Sequence, residues 1–387
     1  MMRPNLHQLA IYFHWPFCLS KCPYCDFNAH AFDSVDHERY QKAYQKALAF
    51  YAEKLGDREI TSVFFGGGTP SLMKPEMVAV LLSDIKKHWK IADDLEVTLE
   101  ANPTSVEIEK FKAFREAGVN RISLGIQSFI DKDLKFLGRQ HDVAQAKRAI
   151  EIADQCFDRY SFDLIYGRPD QTIKAWEREL KEALPFAKGH MSLYQLTIER
   201  STPFYMRYNR GEFNVPDDID GAEFYHVTQG IMEDAGLPAY EVSNHAALGQ
   251  ESRHNLVYWR YQDYIGIGAG AHGRFCMNGQ KLSSRDHSAP EVWMERAESQ
   301  GHGSHEWEEI APEDKFVESL MMGLRLSKGI SISALEENSE CEFKDQIKTE
   351  HLKTAIKEGW VNFDERQISL TREGLLRLNQ IIPYLLR

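Results

Sequence analysis

The chain has 387 residues, with 46 Lys and Arg against 58 Asp and Glu, a formal charge of −12. At roughly 150 residues per domain this length gives two to three domains, or one large barrel with an appendage, and the 43% hydrophobic and 27% charged fractions are those of a globular chain able to bury a sizeable core. The acidic balance, the absence of a Lys/Arg block and the lack of any apolar run near ~18–20 residues exclude broad electrostatic binding to nucleic acid, and leave at most peripheral association with a membrane.

The first residues, MMRPNLHQLAIYFHW, carry no apolar stretch ending in a small-residue cleavage site, so the expected compartment is the cytoplasm. From there short β-like runs alternate with longer helical ones. Strands are predicted at Leu9–Phe13, Thr61–Phe65, Glu96–Glu100, Arg121–Ile126, Ser161–Ile165 and Met191–Ile198. Helices are predicted at about 37–55, 75–90, 105–117, 142–155 and 172–187, where apolar and charged residues recur at helical spacing. Asn102-Pro103-Thr104-Ser105 opens the third of these helices and Gly118 ends it. Repeated strand–helix units imply a mainly parallel sheet, with a barrel or open part-barrel favoured over a doubly wound sheet.

Either architecture gathers ligand chemistry at the C-terminal ends of its strands. The first predicted strand leads into a cysteine cluster and the second into Gly66-Gly67-Gly68-Thr69-Pro70. The third ends in Glu100-Ala101-Asn102-Pro103 and the fourth in Gln127-Ser128; the fifth includes Asp163, and the sixth ends near Gln195–Glu199. After about residue 200 the pattern loosens. A helix near 221–235 is followed by His254-Asn255-Leu256-Val257-Tyr258-Trp259 and by Ile265-Gly266-Ile267-Gly268-Ala269-Gly270. The expected division is a part-barrel over 1–240, an extension over 241–300 and a winged-helix-like α+β module over 301–387. That last stretch holds 16 acidic and 11 basic residues, so packing or partner docking is expected of it rather than DNA binding.

Six cysteines in a chain of this length, without a secretion signal, are too few for a disulfide scaffold. Cys156, Cys276 and Cys341 are scattered and read as small buried hydrophobes. Cys18, Cys22 and Cys25 put three soft thiolates in one short loop, enough to hold three irons of a [4Fe–4S] cube and leave the fourth open to a small chelating molecule. Structural zinc, completed by His14 or His30, and a redox pair at Cys22-Pro23-Tyr24-Cys25 are the alternatives.

Cys-x3-Cys-x2-Cys with Tyr24 before the last cysteine, followed by the Gly66–Pro70 run at the second strand end, resembles the signature of radical S-adenosylmethionine proteins. The resemblance implies a partial (β/α)6 barrel, a [4Fe–4S] cluster on Cys18, Cys22 and Cys25, and S-adenosylmethionine chelating the open iron. In that family's enzymes an electron from the cluster cleaves the sulfonium to a 5′-deoxyadenosyl radical, while the protein positions the cofactor and excludes water. Glycines let the 66–68 backbone approach a ligand, and its backbone groups are expected to meet the methionine amine and carboxylate. Gly268-x-Gly270-x-x-Gly273 formally matches a dinucleotide fingerprint, but a turn-like segment follows it rather than the required helix.

The resemblance runs through nearly the whole chain and is to the oxygen-independent coproporphyrinogen III oxidase group. It implies that Tyr12, Gly67, Gly68, Thr69, Glu100, Gln127, Arg139 and Asp163 serve S-adenosylmethionine. Two features depart from the decarboxylase pattern: Phe27 stands where that pattern has a further cysteine, and the first strand begins by about residue 9. Both are similar to the HemW-type heme chaperones, as is His254-Asn255-x-x-Tyr258-Trp259. That branch implies heme binding and transfer to heme-receiving respiratory proteins, and leaves it open whether the chain is an enzyme. An imidazole from His254 would ligate the heme iron, with Asn255 orienting it and Tyr258 and Trp259 packing on the macrocycle. His272 is a second histidine in the expected site mouth. Radical decarboxylation of coproporphyrinogen propionates, or radical chemistry on another substrate, are the competing functions. A homodimer stands open beside the monomer.

Overall fold

The computed structural model describes residues 7–32 and 34–387, with Val106 by its backbone alone. Residues 1–6 of the N-terminal stretch considered above lie outside that range. Six parallel strands lie side by side in chain order: β1 (Gln8–Trp15), β2 (Glu59–Gly67), β3 (Lys90–Ala101), β4 (Arg121–Gln127), β5 (Arg159–Tyr166) and β6 (His190–Gln195). A doubly wound sheet reverses its strand order at the middle. These six do not, in keeping with the predicted part-barrel.

The sheet continues past both ends of that series. β7 (Asn244–Ala246) pairs antiparallel with β6, and β8 (Tyr264–Ile267) pairs parallel with β1 on its far side. Beyond β8 come the antiparallel strands β9 (His272–Met277) and β10 (Gln280–Arg285), then β11 (Glu308–Glu309). The segment after Gly268-Ala269-Gly270 is therefore a strand, and the dinucleotide geometry is absent there.

Strand periodicity sorts the side chains into two faces. Ile11 and Phe13, Val63 and Phe65, Val97 and Leu99, Ile122 and Leu124, and Phe162 and Leu164 are buried on the convex face in one continuous core. That core includes residues of α1 (His37–Leu55), α2 (Pro75–His88), α3 (Phe111–Ala117), α4 (Val143–Cys156) and α5 (Ile173–Ala183). The alternate residues line the concave face and are largely polar: Ser62, Glu96, Thr98, Glu100, Arg121, Ser123, Ser161, Asp163 and Ser192. Ligand chemistry can sit inside the barrel because this face is not a packed apolar layer.

Helix starts follow the caps. Asp142 accepts from Gln145 N and Gln145 returns to Asp142 N, a capping box at the start of α4. Gly118, at φ 111°, ends α3. The helix predicted over 105–117 is instead two pieces, Ser105–Ile108 and Phe111–Ala117. Glu107 folds back to accept from Asn102 N at 2.8 Å, and Lys110 reaches the Ser71 carbonyl at 3.2 Å, tying the joint to the strand ends. β6 stops at Gln195 rather than Ile198, because Leu196 and Ile198 leave the sheet for a small apolar cluster around Phe204.

One buried ion pair fixes two strand-end turns. Glu179 of α5 accepts from Ser128 Oγ at 2.6 Å, from Phe129 N at 2.9 Å, and from both terminal nitrogens of Arg168. The Arg168 and Glu179 side chains are each 1% exposed. Removing one partner strands a buried charge, so Arg168→Ala should cost about 3–5 kcal/mol. Urea denaturation would show it as a lowered midpoint, and an unchanged midpoint would refute it.

A second core starts at Phe316. α9 (Pro312–Gly323), reached after α6 (Asp218–Asp234), α7 (Arg253–Trp259) and α8 (Pro290–Gln300), packs with the helices Ile332–Ser339, Thr349–Lys357 and Leu378–Leu385. A three-stranded sheet of Ile330–Ser331, Gln367–Leu370 and Val361–Asp364 completes this module. Among the described residues no helix is long and apolar enough to cross a membrane.

Candidate functional site

β1 ends at Trp15, and the chain then makes a closed loop. Phe17–Cys18 pairs in parallel with His30–Ala31, so residues 19–29 form a lasso at the barrel mouth. Cys18 at the base of this lasso and Cys22 and Cys25 within it are all free. Burial pushes the Cys18 and Cys25 thiols up, and a bound cation would favour their thiolate forms. Cys25 N donates to Cys22 O at 3.1 Å, and Arg139 Nη1 donates to Cys22 Sγ at 3.3 Å. Among the described residues no three His, Cys, Asp or Glu side chains converge on a single ion.

The cysteines line one pocket with Gly67, Gly68, Thr69, Glu100, Gln127, Arg139 and Asp163. These residues come from the ends of β2 to β5 and the segment after β4, as the strand-end argument requires. Gly67, at φ 111°, and Gly68 lie against the lasso: a Cβ on Gly68 would meet the Phe17 carbonyl oxygen at 2.7 Å and Cys18 Sγ at 3.0 Å. Gln127 takes φ 74°, uncommon for a residue with a side chain, at the β4 terminus. Arg139 Nη2 donates to Gly125 O at 2.8 Å and to Asn102 Oδ1 at 2.5 Å.

The electrostatics are those of a buried acidic pair. Burial, then repulsion from Asp163, pushes Glu100 up to about 8, against a hydrogen bond from Gly67 N at 3.1 Å. Burial pushes Asp163 up to about 6, restrained by a hydrogen bond from Ser192 and by Arg121 and Arg139. The N–H groups at the end of the glycine loop tie it to its neighbours. Gly67 N donates to Glu100, Gly68 N to Trp15 O at 2.7 Å and Thr69 N to Phe17 O at 2.9 Å.

Tyr12 borders this pocket without lining it, its ring beside Gly66. Its ring lies one rung lower on the concave face, level with Phe64 and Thr98, and lines a neighbouring cleft. Its hydroxyl sits 2.9 Å from His14 Nδ1, and His14 Nε2 sits 2.9 Å from Asn28 O. A Cβ on Gly67 would come within 2.7 Å of the His14 ring. Gly67→Ala should therefore cost about 1–3 kcal/mol of backbone strain and push His14 off one of its partners. A wild-type denaturation midpoint for that variant would count against the packing described here. Asn102, read from sequence as part of a helix start, lines the pocket, and its Nδ2 donates to Thr69 Oγ1 at 3.3 Å. Its place two residues past Glu100 on the same strand end was the available signal.

The His254 segment is a short helix, α7, capped by Ser252 and plugged into the lower barrel. Glu96 accepts from His254 N at 3.2 Å. His254 is 1% exposed. Its Nδ1 lies 2.9 Å from Ser62 Oγ and its Nε2 2.8 Å from Tyr258 OH. Burial, with Arg121 second, lowers its proton affinity to about 3. Ser62 and Tyr258, not Asn255, orient the ring; Asn255 faces Tyr240. For His254 to reach an iron, Tyr258 would have to leave. Tyr258 and Trp259 themselves line the neighbouring cleft, together with His272. Phe27 lies on the rim of the cysteine pocket, 58% exposed.

Residues 12–183 match the Radical SAM superfamily, and residues 310–377 match the HemN C-terminal domain. Radical S-adenosyl methionine domain-containing protein 1, mitochondrial, of Danio rerio is 36% identical over 98% of this chain and 87% of its own length. The heme chaperone HemW of Escherichia coli (strain K12) is 36% identical over 99% of each chain. A solved structure of coproporphyrinogen III oxidase (HemN) from Escherichia coli shares the fold, with a TM-score of 0.81 over 99% of this chain and 91% of that one, at 20% identity. With both domains present and HemW similarity running from end to end, the chain belongs to the HemW group of the radical S-adenosylmethionine superfamily.

Proposed function

We propose that this protein is a cytoplasmic heme chaperone, carrying heme to respiratory heme proteins on a scaffold that also holds a [4Fe–4S] cluster and S-adenosylmethionine. The observation that carries the reading is the 36% identity to the HemW heme chaperone of Escherichia coli over 99% of both chains. The geometry supports it: a cleft walled by Tyr12, Tyr258, Trp259 and Tyr264 adjoins the cysteine pocket, and aromatic faces suit a macrocycle.

Cys18, Cys22 and Cys25 would hold the cluster, and Gly67, Gly68, Thr69, Glu100, Gln127, Arg139 and Asp163 would surround S-adenosylmethionine. When bound, the cluster supplies a single electron to a sulfonium. Arg139 sets its guanidinium between Cys22 and Asn102, placing positive charge beside the thiolates. Glu100 and Asp163 offer carboxylates to ribose hydroxyls or an amine. His254 holds Tyr258 against the barrel and so shapes the cleft wall.

The test is an anaerobic heme titration of the cluster-reconstituted chain beside an assay with S-adenosylmethionine, reductant and coproporphyrinogen III. Stoichiometric heme binding without porphyrinogen turnover is expected. Multiple turnovers to protoporphyrinogen would replace the carrier by the oxidase.

A further inference from the structure

The aromatic cleft has a volume of about 480 Å³, within the range of ligand sites. It is built from chain-distant parts. β1 and β8 give Tyr12 and Tyr264, α7 gives Tyr258 and Trp259, and the β9–β10 hairpin gives His272 and Arg274. The far wall is α9 of the second module, with Glu318, Met321 and Met322. Arg274 and Glu318 are joined across the cleft at 3.0 Å, and Tyr261 OH donates to Glu318 at 2.6 Å, so the module is latched onto the hairpin.

Three imidazoles adjoin this cleft, and their ring nitrogens are not equally free. His14 is held by Tyr12 OH and Asn28 O, and His254 by Ser62 and Tyr258. His272 lines the cleft, is exposed, and has no described residue hydrogen-bonded to its ring. Directly across the hairpin, Arg285 is its ladder partner, so the two side chains leave the same face. Arg285 is exposed and in no ion pair among the described residues. Partial burial of its ring at the cleft wall, then Arg274 and Arg285, lowers the proton affinity of His272, which favours the neutral form that ligates iron.

We propose that His272, not His254, is the imidazole ligand of the heme iron, with Arg285 pairing to a propionate. This rests on the heme-chaperone reading and adds the ligand to it. The Met321 and Met322 thioethers on the facing wall offer a second soft donor. His254 then acts through Tyr258, as a positioning residue.

The experiment is a hemin titration of the full-length chain, read by Soret absorbance and by electron paramagnetic resonance of the ferric complex. His272→Ala should lose the imidazole signature and weaken heme binding on the order of tenfold or more. Free imidazole should restore the signature, and far-UV circular dichroism should stay unchanged, since this side chain supports no core. His254→Ala should keep the signature. Arg285→Ala should weaken binding of heme but not of the heme dimethyl ester, which has no propionate charge. A wild-type spectrum and affinity in His272→Ala, or loss of the signature only in His254→Ala, would overturn the assignment while leaving the chaperone reading intact. Failure of the unaltered chain to bind heme at all would overturn both.

Discussion

Cys22→Ala is expected to abolish the iron–sulfur cluster. After anaerobic reconstitution the wild-type chain should hold about four iron and four sulfide, and the variant should hold close to none. The size of the effect follows from the ligand count: three thiolates serve four irons, so losing one leaves two irons without a protein ligand. Cys22 also stands at the centre of the lasso. Its carbonyl accepts from Cys25 N, and its sulfur faces the Arg139 guanidinium at 3.3 Å. The side chain is half-buried and belongs to none of the apolar cores, so the substitution removes a ligand without opening a cavity. Cys276→Ala is the matched control. Its thiol sits on β9, beside Asp263 and away from the lasso, and its loss should leave iron and sulfide untouched. Full iron content in Cys22→Ala, or equal loss in both variants, would refute the assignment of these ligands.

The strand ends were readable in the sequence because two local signals coincide there. Alternating apolar residues, such as Ile122, Leu124 and Ile126, mark a strand with one face in the core, and Gly, Pro or Asn marks where it stops. Gly67, Glu100, Gln127 and Asp163 follow from those signals, and the structure brings them into one pocket with the cysteines. Tyr12 shows the limit. Its parity puts it on the concave face, but register decides its level, and pairing with Phe64 sets it a layer below Glu100. Register depends on how strands 50 residues apart align, which one strand's pattern does not contain. His254 shows the same limit more strongly. Ser252 and the apolar spacing of Leu256 and Val257 are compatible with a short helix. That its imidazole would enter the barrel and meet Ser62 depends on a contact 192 residues away. The cleft is assembled from four segments between residues 12 and 322, and no local pattern announces it.

The pH dependence of S-adenosylmethionine binding should report Glu100. In the free protein this carboxyl is pushed up to about 8, so it is mostly protonated at neutral pH. The ligand carries a sulfonium, which favours the carboxylate form of a neighbouring acid. Binding therefore competes with a proton. Affinity should rise with pH and level off above the Glu100 value, by on the order of tenfold, or ~1.4 kcal/mol, from pH 7 to the plateau. Asp163, pushed up to only about 6, is already ionised over most of that range and contributes at its acid end. Glu100→Gln has no proton to release. It should bind more weakly at the plateau and lose most of the slope, and the slope that remains above the Asp163 range belongs to the ligand's own amine. Calorimetry at pH 7 in buffers of different ionisation enthalpy separates the two. The wild type should release close to one more proton per ligand than the variant. Equal proton release in both proteins would mean that Glu100 enters the complex still protonated, donating a hydrogen bond to the ligand instead of holding a charge against it.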